Sequence, residues 1–370
     1  MIFTIISLFY NIRDDIFLNL SRKKNFIIIL LIYYIIEIDK NNYKYFKLLK
    51  DKNNIRIGIV TNSFKNGGIG RQTSLLLKYL NRIDLFILYL FTREGKNKDD
   101  YILDNNIKRM AIDKNFINLL KKEKIDILIY QQYNIEEIRK LNRLNKIKII
   151  YINHSCYIYW IYQNLFGYIK NVYKAYKQAK YIISLIPFEN DYLFKKWGIN
   201  SILMNNFIPY DYKSIIPSDL SSKTILMIGR GSDKLKRFEL GIESMKYIVK
   251  EIPKCEMMVI SELTGITDLQ KLIQKINLEN HIKFVGYNSN PEIFFKNASL
   301  HIFPSIAEAF PNVLSETLIY GIPNILVGLD YVSNAKGGTV IIYDDSPLSI
   351  AKIAIKILFI RQDFGFRKKE

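Results

Sequence analysis

From residue 55 onward the chain alternates short apolar runs with amphipathic stretches, and this rhythm limits the folds open to it. IRIGIV (55–60) runs into the polar loop TNSFKNGGIGR, after which SLLLKYL (74–80) has helical spacing. A short, continuously apolar run reads as a strand covered on both faces, and a helical stretch between two such runs supplies the crossover that parallel strands require. The unit recurs in DLFILYLF (84–91), IDILIYQQ (125–132), IKIIYINH (147–154) and KYIISLI (180–186), with NFINLLKKEK and NIEEIRKLNRL as intervening helices. The pattern predicts a doubly wound α/β domain over 55–206.

FIPYDYKSIIPSDLSSK (207–223) interrupts the rhythm with two prolines, two aspartates and a serine cluster, and reads as an interdomain linker. The alternation then starts again. KTILMIGRG, CEMMVISE, HIKFVGY, LHIFPS and PNILVG read as strands, and FELGIESMKYIVKEIP, TDLQKLIQKINLE, PEIFFKNA and NVLSETLIY as helices, giving a second α/β domain over 224–370. Two such domains in series imply a cleft between them. Ligands of open α/β sheets sit outside the carboxyl ends of the strands, so the loops named here would gather around it.

Composition narrows the functional classes. Lys+Arg 54 against Asp+Glu 35 gives a formal charge of +19, a balance compatible with nucleic acid, an anionic membrane face or a phosphate-bearing ligand. Lys, Ile, Asn and Tyr are abundant throughout, so most of the excess is compositional. No zinc spacing, basic zipper or aromatic-basic RNA signature is present, and the reading assigns no nucleic-acid partner. Cys156 and Cys255 stand far apart, and His154, His281 and His301 stand singly, so the sequence suggests neither a disulfide framework nor a metal site; a reducing cytoplasmic setting fits. In the N-terminal extension 1–54, NFIIILLIYYIIEI (25–38) falls short of the roughly 20 residues that cross a bilayer. Its flanks, RKK and KNNYKYFKLLK, suit a membrane interface. The stretch reads as a buried helix, an interfacial helix or a tilted span, and no small-residue cleavage site follows it.

Three loops carry the chemistry. In NGGIGR (66–71), adjacent glycines let backbone approach a ligand and leave amides free at a helix N-terminus; alone, the pattern fits a flexible turn equally well. It is neither a dinucleotide fingerprint nor a Walker loop, which counts against a Rossmann-type oxidoreductase. IGRGSDKLKRF (228–238) places Arg230 after a strand and Gly229, with Lys236 at the opening of a helix. A guanidinium fork and an ammonium there suit a diphosphate, or simple surface charge; Lys234 and Arg237 read as solvent-facing. In SIAEAFPNVLSETLIYGIP (305–323), Pro311 suits the first turn of a helix and Gly321 its end. Glu308 then lies in the strand-end loop and Glu316 inside the helix. Carboxylates in such positions grip polyol hydroxyls, although a solvated helix edge would account for Glu316 alone.

Together these features resemble the retaining glycosyltransferase family 4, nucleotide-sugar-dependent enzymes of the GT-B fold, over residues 55 to about 358. The most specific part is E-A-F-P-N-V-L-S-E, which matches the family's E-x7-E element. The resemblance implies that Glu308 lies by the donor sugar and Glu316 binds the nucleotide ribose. It also implies that Phe310, Pro311 and Asn312 face the sugar and phosphates, and that Gly229, Arg230 and Lys236 neutralise the diphosphate. The Arg230-to-Lys236 separation is one residue longer than the family's commonest form. Gly67 and Gly68 match the N-terminal glycine loop, His154 a histidine that reaches the donor sugar, and Gly286 and Tyr287 the position near the base. By the same resemblance, transfer proceeds with retention. No carboxylate is an obvious covalent nucleophile, so a front-face route is expected in which the leaving phosphate helps take the acceptor proton. No cofactor or metal is expected beyond the nucleotide-sugar cosubstrate, and no D-x-D pair occurs.

The expected activity moves a hexose or N-acetylhexosamine to a glycan or lipid-linked acceptor in cell-surface polysaccharide or glycolipid synthesis. An anionic membrane surface on the cytoplasmic side is a possible partner. The alternative is a non-catalytic nucleotide-sugar-binding relative acting as sensor or scaffold. It is favoured by an ending, AKIAIKILFIRQDFGFRKKE, that looks short for a final helix returning to the N-terminal domain.

Overall fold

The computed structural model describes residues 54–363 except 66, 83–84, 208–214, 289–290 and 329–337, and not the side chains of 360–363. The apolar stretch 25–38 and most of the linker's first half therefore lie outside the described residues.

The first lobe is a seven-stranded sheet: β1 (Ile55–Thr61), β2 (Phe86–Thr92), β3 (Lys108–Ala111), β4 (Ile127–Tyr130), β5 (Lys148–Asn153), β6 (Tyr181–Ser184) and β7 (Ile202–Leu203). Their spatial order is 3-2-1-4-5-6-7, and every pair is parallel. Helices α1 (Gly68–Leu80), α2 (Phe116–Lys122), α3 (Ile135–Leu141), α4 (Tyr157–Tyr162), α5 (Phe166–Tyr176) and α6 (Pro187–Trp197) cover it. Side-chain alternation along the strands divides the core between the two faces. Ile57 and Ile59 pack into one cluster with Leu88, Leu90 and Ile129, whereas Val60 joins the other with Tyr89, Phe91 and Tyr130.

The second lobe repeats the plan with β8 (Thr224–Ile228), β9 (Glu256–Ile260), β10 (Ile282–Phe284), β11 (Leu300–Phe303), β12 (Asn324–Val327) and β13 (Thr339–Ile342). The order, 3-2-1-4-5-6 within the lobe and again all parallel, is that of a doubly wound dinucleotide-type domain. Its helices are α7 (Phe238–Glu251), α8 (Thr267–Lys275), α9 (Glu292–Phe295), α10 (Asn312–Ile319) and α11 (Pro347–Asp363). Ile350, Ala351, Ala354 and Leu358 of α11 join the core of this lobe alongside Ile242, Met245 and Ile248 of α7.

Sequence rhythm locates the central strands closely. It overlooks β3, β7 and β13 because edge strands are short and half polar; β3 reads KRMA with no fully buried residue. It also leaves α4, α5 and α6 unnamed, since aromatic residues recur on every face there. Pro311 sits one position earlier than expected, as the extended N-cap of α10 (φ −75°, ψ 107°).

Candidate functional site

Each sheet has one switch point, between β1 and β4 in the first lobe and between β8 and β11 in the second, where crossovers leave in opposite directions and open a crevice. The two crevices face one another and merge into a single cavity of about 1020 Å³ lined by both lobes.

From the first lobe, α1 enters the cavity by its N-terminus. Gly67 caps it at φ 127°, a conformation that side chains avoid, and a Cβ on Gly70 would lie 2.5 Å from the Lys65 carbonyl oxygen. These glycines let the turn between β1 and α1 close tightly and bring its amides to the cleft. Gly68 faces the opposite lobe: a Cβ there would lie 3.3 Å from Asn312 Nδ2. α10 also presents its N-terminus here, so two helix ends of favourable dipole for anions meet across the cleft.

His154, after β5, is partly buried and lines the cavity. Burial pushes its imidazolium pKa down to about 4, so it is neutral at pH 7. Its tautomer follows from its neighbours. Thr73 Oγ1 donates to the Ile69 carbonyl and accepts from Gln131 Nε2 (2.8 Å for both), which turns Gln131 Oε1 toward the imidazole. His154 Nε2 therefore carries the proton and donates to Gln131 Oε1 at 2.7 Å, leaving Nδ1 as an acceptor. Next to it Cys156 is fully buried, its thiol pushed up to about 12 mainly by burial, and its Sγ donates to the Glu308 carbonyl oxygen across the lobes at 3.2 Å.

From the second lobe come the charges. Glu308, in the loop after β11, forms an ion pair with Lys236, which closes a single 3-10 turn (Lys234–Lys236) ahead of α7. Both are largely shielded, with side-chain exposures of 14% and 19%. Arg230 lies at the rim, its side chain 63% exposed and bonded through Nη2 to Asp233 at 3.2 Å. Thus Lys236, offset by one residue from the family spacing, is the more enclosed of the two cations. Arg237 differs from expectation. It is a half-buried structural residue in left-handed conformation (φ 47°), donating from Nε to the Pro304 carbonyl at 2.7 Å and from Nη2 to the Val327 carbonyl at 3.1 Å, with Nη1 paired to Asp345 at 3.0 Å. The guanidinium thereby ties the ends of β11 and β12 to the start of α7.

Glu316 is buried, 1% exposed, and pairs with Arg71 Nη1 of α1 at 3.1 Å. Burial raises its pKa and the Arg71 charge opposes that shift. Beside it Gln72 Nε2 and Asn206 Nδ2 both donate to Asn312 Oδ1, at 3.2 and 2.8 Å, while Gln72 Oε1 accepts from the Phe207 amide at 2.8 Å. α1, the start of the linker and α10 are joined by this network. On the far wall Tyr101 OH and Tyr287 OH lie 3.4 Å apart across the cleft.

Of the residues singled out from the sequence, Gly67, Gly68, His154, Gly229, Arg230, Lys236, Tyr287, Glu308, Phe310, Pro311, Asn312 and Glu316 all line this one cavity; Gly286, at φ +79°, sits just behind Tyr287 and does not. Sequence reasoning passed over Arg71, Gln72 and Gln131, and names Cys156 only as an unpaired thiol. Arg71 stands inside the NGGIGR motif itself, one turn into α1, and its partner lies 245 positions away. Among the described residues no group of three His, Cys, Asp or Glu side chains is placed to hold a metal, and no helix is long and apolar enough to cross a membrane.

Residues 211–358 match the family profile described as glycosyl transferases group 1. An uncharacterized glycosyltransferase of Methanocaldococcus jannaschii is 28% identical over 123 residues, covering 33% of this chain and 29% of that protein. Another, of Haemophilus influenzae, is 23% identical over 231 residues, covering 61% and 63%. A poly(glycerol-phosphate) alpha-glucosyltransferase of Bacillus subtilis is 26% identical over 163 residues, covering 43% and 22%. The matched stretches thus span less than two thirds of each of these relatives. Among solved structures, that of TarM superposes with a TM-score of 0.66 at 12% identity, covering 85% of this chain and 96% of that one. Anabaena HepE in complex with UDP gives 0.67 at 14% identity, covering 84% and 92%. The fold is therefore GT-B-like: two Rossmann-like lobes around a central cleft.

Proposed function

We propose that the chain is a nucleotide-sugar-dependent glycosyltransferase that transfers a hexose or N-acetylhexosamine, with retention, to a glycan or lipid-linked acceptor. The observation that carries this reading is the convergence, in one interlobe cleft, of Lys236, Arg230 and two helix N-termini with the carboxylates Glu308 and Glu316. Departure of a nucleoside diphosphate builds negative charge on its phosphates, and preorganised cations and amides oppose that charge. The donor exchanges the Lys236–Glu308 pair for two contacts, ammonium to phosphate and carboxylate to sugar hydroxyl. Glu316, restrained by Arg71, takes the ribose hydroxyls. Neutral His154 keeps Nδ1 as an acceptor for a hydroxyl of the donor sugar, and its low pKa removes it as a proton donor at pH 7. The leaving phosphate then takes the acceptor proton. Phe310, Pro311 and Asn312 form the floor beneath sugar and phosphates, and Tyr287 flanks the base.

The complexes of HepE with UDP and with UDP-glucose support a UDP-type donor. A membrane-facing acceptor is supported by the α4–α5 turn, where Ile161, Tyr162, Leu165, Phe166 and Tyr168 are all exposed beside exposed Lys170, Lys174 and Lys177. Apolar and aromatic tips with a basic collar suit an anionic bilayer surface.

Thermal-shift titration with UDP and UDP-sugars tests the reading, because a ligand of the folded state raises Tm. A rise with UDP and slow hydrolysis of one UDP-sugar are expected. No shift with any nucleoside diphosphate sinks the reading, and donor binding without hydrolysis or transfer to any acceptor pool assigns the chain to the sensor class instead.

A further inference from the structure

We propose that Gln131, held in turn by Thr73, is a positioning residue that restricts His154 to accepting hydrogen bonds, so that the site selects a donor sugar presenting a hydroxyl or N–H there over one presenting an acceptor-only group such as a carboxylate. The sugar's place rests on the transferase reading; the state of the imidazole does not.

Three neighbouring elements supply this relay. Thr73 stands in the second turn of α1, and His154 directly follows β5. Gln131 directly follows β4, its amide donating to the Val60 carbonyl of β1 at 3.2 Å. Gln131 and the partly buried His154 line the cleft, and Thr73 lies behind them. Thr73 and Gln131 are only 0% and 4% exposed, so water does not replace a bond lost between them.

The direction of the relay is fixed at its inner end. The Ile69 carbonyl can only accept, so the single hydroxyl proton of Thr73 points to it at 2.8 Å. Gln131 must then turn Nε2 to the Thr73 oxygen and Oε1 to His154 Nε2, at 2.8 and 2.7 Å. Moving the imidazole proton to Nδ1 would require Gln131 to turn over and Thr73 to abandon Ile69.

The other two histidines take the opposite form. His281 Nδ1 faces the Cys255 carbonyl at 3.0 Å. His301 Nδ1 faces Asn324 Oδ1 at 2.6 Å, the Asn324 amide being oriented by its bond from Nδ2 to the Ile322 carbonyl at 3.0 Å. Both neutral rings therefore carry the proton on Nδ1. His154 is the exception, and it is the histidine that lines the cleft.

A bare ring nitrogen bonds a hydroxyl or amide proton and repels a carboxylate or a fluorine. With its pKa pushed down to about 4 by burial, about one His154 in 10³ carries the second proton at pH 7, so the imidazolium offers little relief. A site arranged around one donor–acceptor pairing discriminates against ligands that cannot complete it.

NMR of the ligand-free full chain labelled with ¹⁵N-histidine tests the relay. The ring whose signals vanish in His154→Ala is expected as the Nε2–H tautomer, the other two as Nδ1–H, and Thr73→Val is expected to mix the tautomers of His154 alone. Titration calorimetry with UDP-glucose and its four monodeoxyfluoro analogues then tests selection, because fluorine keeps roughly the size of a hydroxyl without its proton. One analogue is expected to bind roughly five- to tenfold more weakly than UDP-glucose. In Gln131→Glu, whose carboxylate favours an imidazolium bearing Nδ1–H, that deficit is expected to shrink below about twofold. Wild-type spectra and titrations carry the test if a variant fails to fold. His154 found as Nδ1–H, four analogues equal to UDP-glucose in wild type, or a deficit unchanged in Gln131→Glu overturns the proposal. The Nε2–H tautomer in a protein that binds neither UDP nor UDP-glucose sinks the transferase reading and leaves the relay standing.

Discussion

The two lobes share a strand order and differ in almost everything that fills it. In the first lobe the largest fully buried side chains are tyrosines, namely Tyr89, Tyr130, Tyr151, Tyr173 and Tyr176. In the second, Ile, Met, Leu and Val dominate the core. Buried tyrosines bring hydroxyls that demand partners. Tyr130 OH donates to Glu137, Tyr151 OH to Asn142 Oδ1, and Tyr173 OH to Glu189, whose carboxyl burial pushes up to about 7. The first of these chains runs outward through Glu137 and Arg93 to Gln132, so the core of the first lobe is tied to the loops at the ends of β2 and β4. The more aliphatic core of the other lobe carries a link of the same kind at buried Tyr320, whose OH donates to Glu292 at 3.0 Å. Towards the cleft the first lobe presents His154, Gln131, Tyr101 and Trp160 together with the charged Lys65, Arg71 and Asp99, and the second presents Arg230, Lys236, Glu308 and Glu316.

The largest effect expected from this division is in the second lobe. Glu308→Gln and Lys236→Ala should each lower turnover by roughly 10²–10³, the scale of losing a preorganised electrostatic contact, whereas His154→Ala should cost about tenfold. Steady-state kinetics on the three variants decides it; a larger loss for His154→Ala would move the chemical centre to the first lobe and break the comparison.

A smaller effect should appear where the lobes meet. Arg71→Ala strands the buried Glu316 carboxylate and should weaken UDP binding and lower Tm, and Glu316→Gln in the same chain should restore part of the stability. A double-mutant cycle measured by thermal and chemical denaturation should give a coupling of roughly 1–3 kcal/mol. Additive effects would mean that the cross-lobe pair contributes nothing.

The smallest effects sharpen the picture of the tyrosine core. Tyr173→Phe removes a donor from buried Glu189 and should cost about 1–3 kcal/mol. Tyr176→Phe should be neutral or slightly stabilising, because its hydroxyl has no hydrogen-bond partner. Urea unfolding of both variants checks the pair, and equal losses would show that the bond to Glu189 does not set the Tyr173 hydroxyl apart from that of Tyr176.

Much of this molecule is legible in the chain itself. Strands such as ILIY and YIIS are buried along their whole length, and a run of that kind has few other fates. The charged loop after β8 and the acidic loop after β11 stand out because each directly follows such a run. A cation at a helix start such as Arg237 looks like surface; its structural role depends on the carbonyls of Pro304 and Val327, which no local pattern reveals. The aromatic stretch 157–168 gives little more away, since its rings repeat without a single face and only packing sorts exposed Tyr162 from buried Trp160.

The alternation of apolar runs with amphipathic stretches, a property of neighbours in sequence, determined the central strands of both sheets, the helices between them that it names and the loops at those strand ends. Docking of one lobe on the other decided the pairing of Arg71 with Glu316, the bond from Cys156 to the Glu308 carbonyl and the shape of the shared cleft. Those contacts join positions 245 and 152 apart, and their geometry depends on how two separate sheets are oriented, which periodicity does not encode.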